Sequence, residues 1–396
     1  MRIKALPGDF VVEERANLAL RDAGAWAIYR VRKVGLTTLQ VQRQLAGQLH
    51  LSAKQVLFPA LKDKQAVAIQ YASLPAGHAE RLQGDSFEAQ RIGYREHPLR
   101  PADLRGNVFT VVLRELDAHT APIVRRRLLG LGAFGLPNYF DAQRMGSFAP
   151  DWGFIGKAIL QRDASAALYG YLTQVFIGDP RPVRAFKRAA AELWPDWRKI
   201  IEIAPRPSNY RSVLTYLIDH PDGYRKALNL IPQRLLSLYL AAYQSHLWNR
   251  IAGAYLEHIY RERRIPMARL SIADASLPYH TALPADAVAA LREQQAALPH
   301  HRAYYQPRLL YEMATQVLQA EGLTPTDLKA RILQRAYLPR GQRPLLLWPQ
   351  DLWAGDPLPD ERFGGLMLRA GFALPKGSYA TLLLKVAAGE EAIAGA

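Results

Sequence analysis

Phe58-Pro-Ala-Leu-Lys-Asp-Lys-Gln-Ala-Val-Ala-Ile-Gln70 sets one carboxylate, Asp63, between Lys62 and Lys64 and then enters an apolar run. Gln65 to Leu74 reads as a strand, rich in β-branched and small apolar residues. Two neighbouring ammonium groups favour an ionised carboxylate. A charged acid on a short loop beside buried segments is a candidate nucleophile or base. The same string also reads as a surface turn carrying a solvated charge run, so the choice depends on the rest of the chain.

Outward from this loop, Phe10–Glu14 and Ala25–Arg32 are strand-like, and Thr37 or Thr38 can cap a helix through Leu39, Val41, Leu45 and Leu49. Ser86–Tyr94 and Asn107–Leu116 are further strands. Ala121–Leu129 is a basic amphipathic helix ended by Gly130, Gly132 and Gly135. From about Trp152 to Gln334 the pattern is helical, with Leu235–Tyr260 the longest helix. Residues 265–305 hold prolines, histidines and a polar helix, and Met313–Leu333 is helical again. Leu345–Trp348 and Leu366–Leu374 return to strand, Ser378–Val386 is a short helix, and the end beyond Lys385 is expected to fray. Strands early, helices in the middle and strands late predict an α/β (α+β) sheet domain built from 1–150 and 336–396, with a helix-rich insertion at 151–335.

A chain of 396 residues exceeds one ordinary core, in agreement with two domains. The net charge of +16 attracts polyanions, and nucleic acid is the first partner to consider. The absence of cysteine excludes disulfides, thiolate catalysis and zinc ribbons. The first ten residues lack the apolar core of a signal peptide, and no run reaches the ~18 apolar residues of a spanning helix. No membrane partner and a cytoplasmic location are therefore expected. Gly130-Leu-Gly-Ala-Phe-Gly135 has GxGxxG spacing but follows a helix rather than a strand, so it is not a dinucleotide loop. HExxH, GxSxG and Walker A patterns are absent. His300-His301 reads as a solvated pair and His246 as a partly buried helix residue, so neither a metal nor a cofactor is expected.

What remains is Asp63, a set of basic residues, and aromatics inside short polar strings: Lys4 with Phe10, Asn138 with Phe140, and Tyr379. A flipped base needs a stacking ring, an amide for its polar edge and cations for its backbone. Several strings then resemble, in order, the TruD family of tRNA pseudouridine synthases. These are Lys4-Ala-Leu-Pro-Gly-Asp-Phe-Val-Val-Glu13, Leu61-Lys-Asp-Lys-Gln-Ala-Val67 with Gln70, and Leu104-Arg-Gly-Asn-Val-Phe-Thr110. Pro137-Asn-Tyr-Phe-Asp-Ala-Gln-Arg144 with Gly146, Tyr243-Gln-Ser-His-Leu-Trp-Asn249 and Leu374-Pro-Lys-Gly-Ser-Tyr-Ala-Thr381 complete the set. Ala60, Ala68 and Met145 depart from the family's usual glycine, threonine and phenylalanine, and the segment from Ile265 to Leu338 is short for its insertion.

The resemblance implies a pseudouridine-synthase core, a mixed and largely antiparallel sheet, with the insertion beside it and RNA in a basic cleft. It implies isomerisation of a uridine in tRNA, at position 13 in most of the family, by an aspartate without cofactor or metal. Asp63 carries over as the catalytic aspartate, and Lys4 as the cation that holds its orientation. Phe140 carries over as the ring stacked on the target base. Asn138 would bond the uracil edge or brace the loop, and Phe10 and Tyr379 would line the pocket. The helix with Gln244 and Asn249 would border the cleft or serve structure alone. A monomer is the expected state. An inactive RNA-binding protein or chaperone on the same scaffold is the alternative, and a phosphodiester-cleaving enzyme would want an acidic cluster or a histidine pair.

Overall fold

In the computed structural model, residues 1–389 are described. They form two compact units, one from Met1–Leu136 with the chain from Leu347 onward, the other Pro137–Leu346.

The first unit is built on a nine-stranded sheet. Its strands are β1 (Phe10–Ala16), β2 (Trp26–Val34), β3 (Val67–Pro75), β4 (Arg81–Gly84), β5 (Phe87–Arg95), β6 (Leu104–Leu116), β7 (Gln350–Ala354), β8 (Leu358–Pro359) and β9 (Leu366–Pro375). Their order is β7-β9-β6-β1-β3-β2-β5-β4, with β8 paired to β9. β1 and β3 run parallel, with Val11 opposite Val67, whereas the other neighbours are antiparallel. The sheet is thus mixed and largely antiparallel.

Period-2 alternation sends Ala27, Tyr29 and Val31 of β2 into a core with Val41 and Leu45 of α1 (Thr38–Gln48). Thr37 caps that helix, accepting from the Gln40 amide while Gln40 Oε1 accepts from the Thr37 amide. Gly106 lies where β6 meets β9 so closely that a Cβ would collide with the Leu374 carbonyl. α2 (Thr120–Phe134) packs on the C-terminal helix Ala380–Ala388 and on β9. It continues through Gly130 and Gly132, which were expected to end it, and stops at Gly135, whose φ of +68° a glycine adopts without the cost that a Cβ would bring. The C-terminal helix reaches Ala388, and the rest of the expected frayed end lies outside the described residues.

The second unit is helical apart from single 3-10 turns and three short ladders, Phe148–Ala149 with Gly153–Phe154, Met267–Ile272 with Ala275–His280, and Gln295–Ala297 with Gln342–Pro344. Its longest helix, Gln233–Glu262, is buried on every side from Ala241 to Asn249, the pattern of a helix at the centre of a bundle. It packs against Ile155–Leu160, Arg308–Ala320 and the strand Ala275–His280. The expected helical run Met313–Leu333 is instead Arg308–Ala320 followed by a turn at Gly322, φ +67°, and a single 3-10 turn at Asp327–Lys329. Residues 265–305 contain an unforeseen hairpin, Met267–Ile272 with Ala275–His280, besides the helix Ala285–Arg292. The units divide near 137 and 346 rather than at 150 and 336. The reason is visible in the bonding: the Asn138 amide donates to the Leu345 carbonyl, and Asn249 clasps both backbone groups of Phe140.

Candidate active site

The Asp63 loop is fastened from below at three points within the first unit. Lys33 lies on the core face of β2, two residues beyond Val31, and is fully buried. Its ammonium donates to the main-chain carbonyls of Leu36 at 2.7 Å and Asp63 at 2.6 Å. Burial pushes that ammonium down to about 8, opposed by the nearby Asp63 carboxylate. The Lys62 amide donates to Thr38 Oγ1 at 2.9 Å, and this hydroxyl donates to buried Gln70 Oε1. The Lys62 side chain turns inward to Asn107 Oδ1 at 2.6 Å and Glu14 Oε1 at 3.0 Å.

This arrangement alters the expected role of the flanking lysines. Lys62 spends its charge on Glu14, whose carboxyl is pushed up by burial and drawn back by Lys62 and the Tyr71 amide. Lys64 is exposed. The cation that meets Asp63 is Lys4, with Nζ 3.5 Å from Oδ2. The Asp63 side chain is 51% exposed, open to a ligand, whereas that of Lys4 is 9% exposed. Lys4 holds φ of +55°, a strained conformation for a residue with a Cβ and a recurrent mark of functional positions. Its ammonium also lies 4.5 Å from the centre of the Phe10 ring. Phe10 is buried, edge-on to Phe109, so it serves as a floor under Lys4. A cavity of about 370 Å³ beside them is lined by Arg2, Lys4, Lys64 and Gln65, a cationic setting suited to phosphate. Tyr379 is the residue before the C-terminal helix, half-buried.

In the second unit, Phe140 and Asn138 belong to one polar–aromatic assembly. The Asn249 side-chain amide accepts from the Phe140 N–H and donates to its carbonyl, each at 2.8 Å. The Arg343 guanidinium lies 4.0 Å from the centre of the Phe140 ring and donates to Asn138 O at 2.7 Å and Asn138 Oδ1 at 2.8 Å. Asn138 Nδ2 donates to Pro344 O. Both ends of the Asn138 amide are thus engaged in bracing. Trp248 meets Phe140 edge-on at 5.6 Å. Lys33, Glu14 and Arg343 were not anticipated. The only sequence signal for Lys33 is its place in the alternation of β2, a lysine where an apolar residue is due.

Among the described residues no group of three or more histidines and acids is placed to hold a metal ion, and no helix is long and apolar enough to cross a membrane. A mixed sheet carrying a lysine-paired aspartate on an anchored loop, joined to a helix-rich second unit, defines the class: an α+β scaffold that presents one candidate catalytic carboxylate. The family model for tRNA pseudouridine synthase D (TruD) matches residues 1–386, and the chain belongs to that family. It is 28% identical to tRNA pseudouridine synthase D of Aquifex aeolicus over 97% of both chains. The protein of the same name from Syntrophotalea carbinolica is 29% identical over 96% of this chain and 94% of its own. The fold matches the crystal structure of a Methanosarcina mazei protein assigned as TruD with a TM-score of 0.74, at 24% identity, over 97% of this chain and 92% of that one.

Proposed function

We propose that this protein isomerises a uridine in tRNA to pseudouridine, with Asp63 as the catalytic carboxylate and no cofactor. The observation that carries this is the exposed Asp63 carboxylate beside Lys4 on a loop whose backbone is fastened by Lys33 and Thr38. In the reaction the C1′–N1 bond breaks, the uracil turns, and a C1′–C5 bond forms. The proton on C5 leaves to solvent and N1 gains one, so no redox partner is required. Attack at C1′, attack on the base and removal of a ribose proton each begin from an ionised carboxylate at this position. Lys4 supplies its counter-charge and fixes its direction.

Phe140 is the ring we assign to stacking on the target base, where a π-face suffices and a hydroxyl is not needed. For Asn138, the engaged amide favours bracing of Arg343 over contact with the uracil edge. Phe10 acts through Lys4, and Tyr379 contributes to the lining. The target is expected at tRNA position 13. The test is carbodiimide mapping of pseudouridine in cellular tRNA treated in EDTA with the wild-type protein or with Asp63→Asn. A new mark from the wild type alone, with equal RNA affinity for both, is the expected result. An active Asp63→Asn protein refutes the assignment, and tight binding without a mark in either sample supports an inactive RNA binder.

A further inference from the structure

In the second unit, two proline-flanked loops converge under the control of one glutamine. Gln244, buried in the long helix, donates to the carbonyl of Pro299 at 2.9 Å and to that of Pro339 at 2.8 Å. Trp248 one turn later donates to Ala296 O. The loops are also joined by the ladder of Gln295–Ala297 with Gln342–Pro344 and by a bond from the Leu298 amide to the Gly341 carbonyl. Between them lies a cavity of about 240 Å³ lined by His300, Arg302, Tyr304, Arg340 and Gln342.

The chemistry of this cavity is specific. Tyr304 is 70% exposed at its rim, an aromatic face held out to solvent. Arg302, Arg340 and Lys329 are exposed, and among the described residues none of the three makes an ion pair. Their charges converge on one point: after burial itself, they are what pushes the His301 imidazole down. His300 Nδ1 accepts from the Arg302 amide at 3.1 Å, which fixes that nitrogen as unprotonated. The two imidazoles lie 4.0 Å apart at a tilt of 37°, and His300 of the pair lines the cavity beside the cations. A partly apolar cavity with Ala297, Leu298 and Ala303 in its wall, a presented aromatic, and Arg302 and Arg340 at the lining with Lys329 near His301 are the parts of a single-stranded nucleic-acid subsite. An acidic protein surface would use the cations but not the cavity.

We infer that this cavity takes an unpaired nucleobase of the RNA substrate, stacked on Tyr304, with the adjoining phosphates on Arg302, Arg340 and Lys329; the identification of the occupant as substrate RNA rests on the proposed activity. The site shares its ladder with Arg343, the residue seated on Phe140, so Gln244, Trp248 and Asn249 of one helix organise both.

Binding is measured with the full chain and unfractionated tRNA across a KCl series, without reference to turnover. Tyr304→Ala is expected to weaken binding about 5- to 150-fold, the range of one lost base stack. Arg302→Ala with Arg340→Ala is expected to lower the salt slope by about 1 to 1.5, two phosphate contacts' worth. Arg184→Ala with Arg188→Ala, two exposed cations on the helix Arg181–Leu193, is the control for bulk charge. Affinity within twofold of wild type for Tyr304→Ala, or equal losses for both arginine pairs, overturns the inference. Loss at Tyr304 in a protein that forms no pseudouridine leaves the subsite standing and removes the proposed activity.

Discussion

Lys33 Nζ lies 2.6 Å from the main-chain carbonyl oxygen of Asp63, so the backbone behind the candidate carboxylate is held by a lysine that rises from the core face of a strand. A misplacement of an ångström at a reacting group costs about 10²-fold in rate. Lys33→Met, which fills the same space, is therefore expected to lower kcat about 10- to 100-fold while leaving tRNA affinity within twofold. The lysine titrates near 8, below its ordinary value. It is charged below that pH and neutral above it, and its two carbonyl bonds lose their charge assistance as pH rises. The charged groups facing it are Asp63 and Lys62. The kcat–pH profile of the wild type should fall on its alkaline side near pH 8, and Lys33→Met should lack that fall. An identical alkaline limb in both proteins would sink a positioning role.

Lys4 separates charge from packing. Its pair with Asp63 is long, 3.5 Å, and half open to water on the acid's side, so it adds little to stability. Lys4→Met keeps the stem over Phe10 and removes the cation. The unfolding free energy should change by less than about 1 kcal/mol, whereas kcat should fall by about 10²-fold. Urea unfolding and single-turnover kinetics on the same preparation check both halves. A large stability loss with unchanged turnover would make Lys4 a structural residue only.

The strands of the sheet and the candidate acid were legible as sequence features because both are local. Alternating apolar residues fix β2, β3 and β6, and the short string around Asp63 carries its own loop. What escaped the sequence depends on long-range partners. Lys62 adjoins Asp63 in the chain, yet the buried Glu14 carboxylate, 48 residues upstream of it, takes its ammonium. α2 runs through Gly130, where the ring of Phe134 fills the space a Cβ would take, and stops only at Gly135, where the backbone takes a positive φ. The hairpin Met267–His280 follows Pro266 and holds Pro278, residues that argue against strands unless an edge position excuses them. Phe140 and Asn138 were legible as residue types, but their attachment to Arg343 and Asn249 was not, since those partners lie more than 100 residues away.

The Glu14–Lys62 pair offers a test of the buried scaffold. Both side chains are nearly or wholly buried, so removing one partner leaves the other's charge uncompensated. Glu14→Ala is expected to cost about 3–5 kcal/mol, more than an exposed ion pair would. The double variant Glu14→Leu, Lys62→Met should recover much of that loss, because two apolar side chains of similar size replace the pair. A double-mutant cycle by urea unfolding measures the coupling. Additive losses would mean that the two charges do not stabilise each other.

His246 gives the second unit a predicted acid sensitivity. It lies in the long helix, 4.8 Å from the Phe154 ring and stacked at 5.9 Å on Tyr243. Burial pushes its imidazole down to about 4 from an ordinary 6.5, with Arg250 and Lys157 adding to the push and Asp274 opposing it. The acids that face it are Asp274 at 3.5 Å and Glu321 at 4.0 Å. Between pH 6.5 and 4 the unfolded chain takes up a proton that the folded chain refuses, so stability falls as pH falls through this window. The contribution is at most about 3 kcal/mol, from the shift itself. His246→Phe keeps a ring between Phe154 and Tyr243 and removes the titration, while the neighbouring carboxylates titrate in both proteins. The stability of the variant relative to wild type should therefore improve by about 2–3 kcal/mol between pH 7 and pH 4, followed by urea unfolding at each pH. A difference that stays constant across this range would show that the folded protein accepts the proton at His246 as readily as the unfolded chain does.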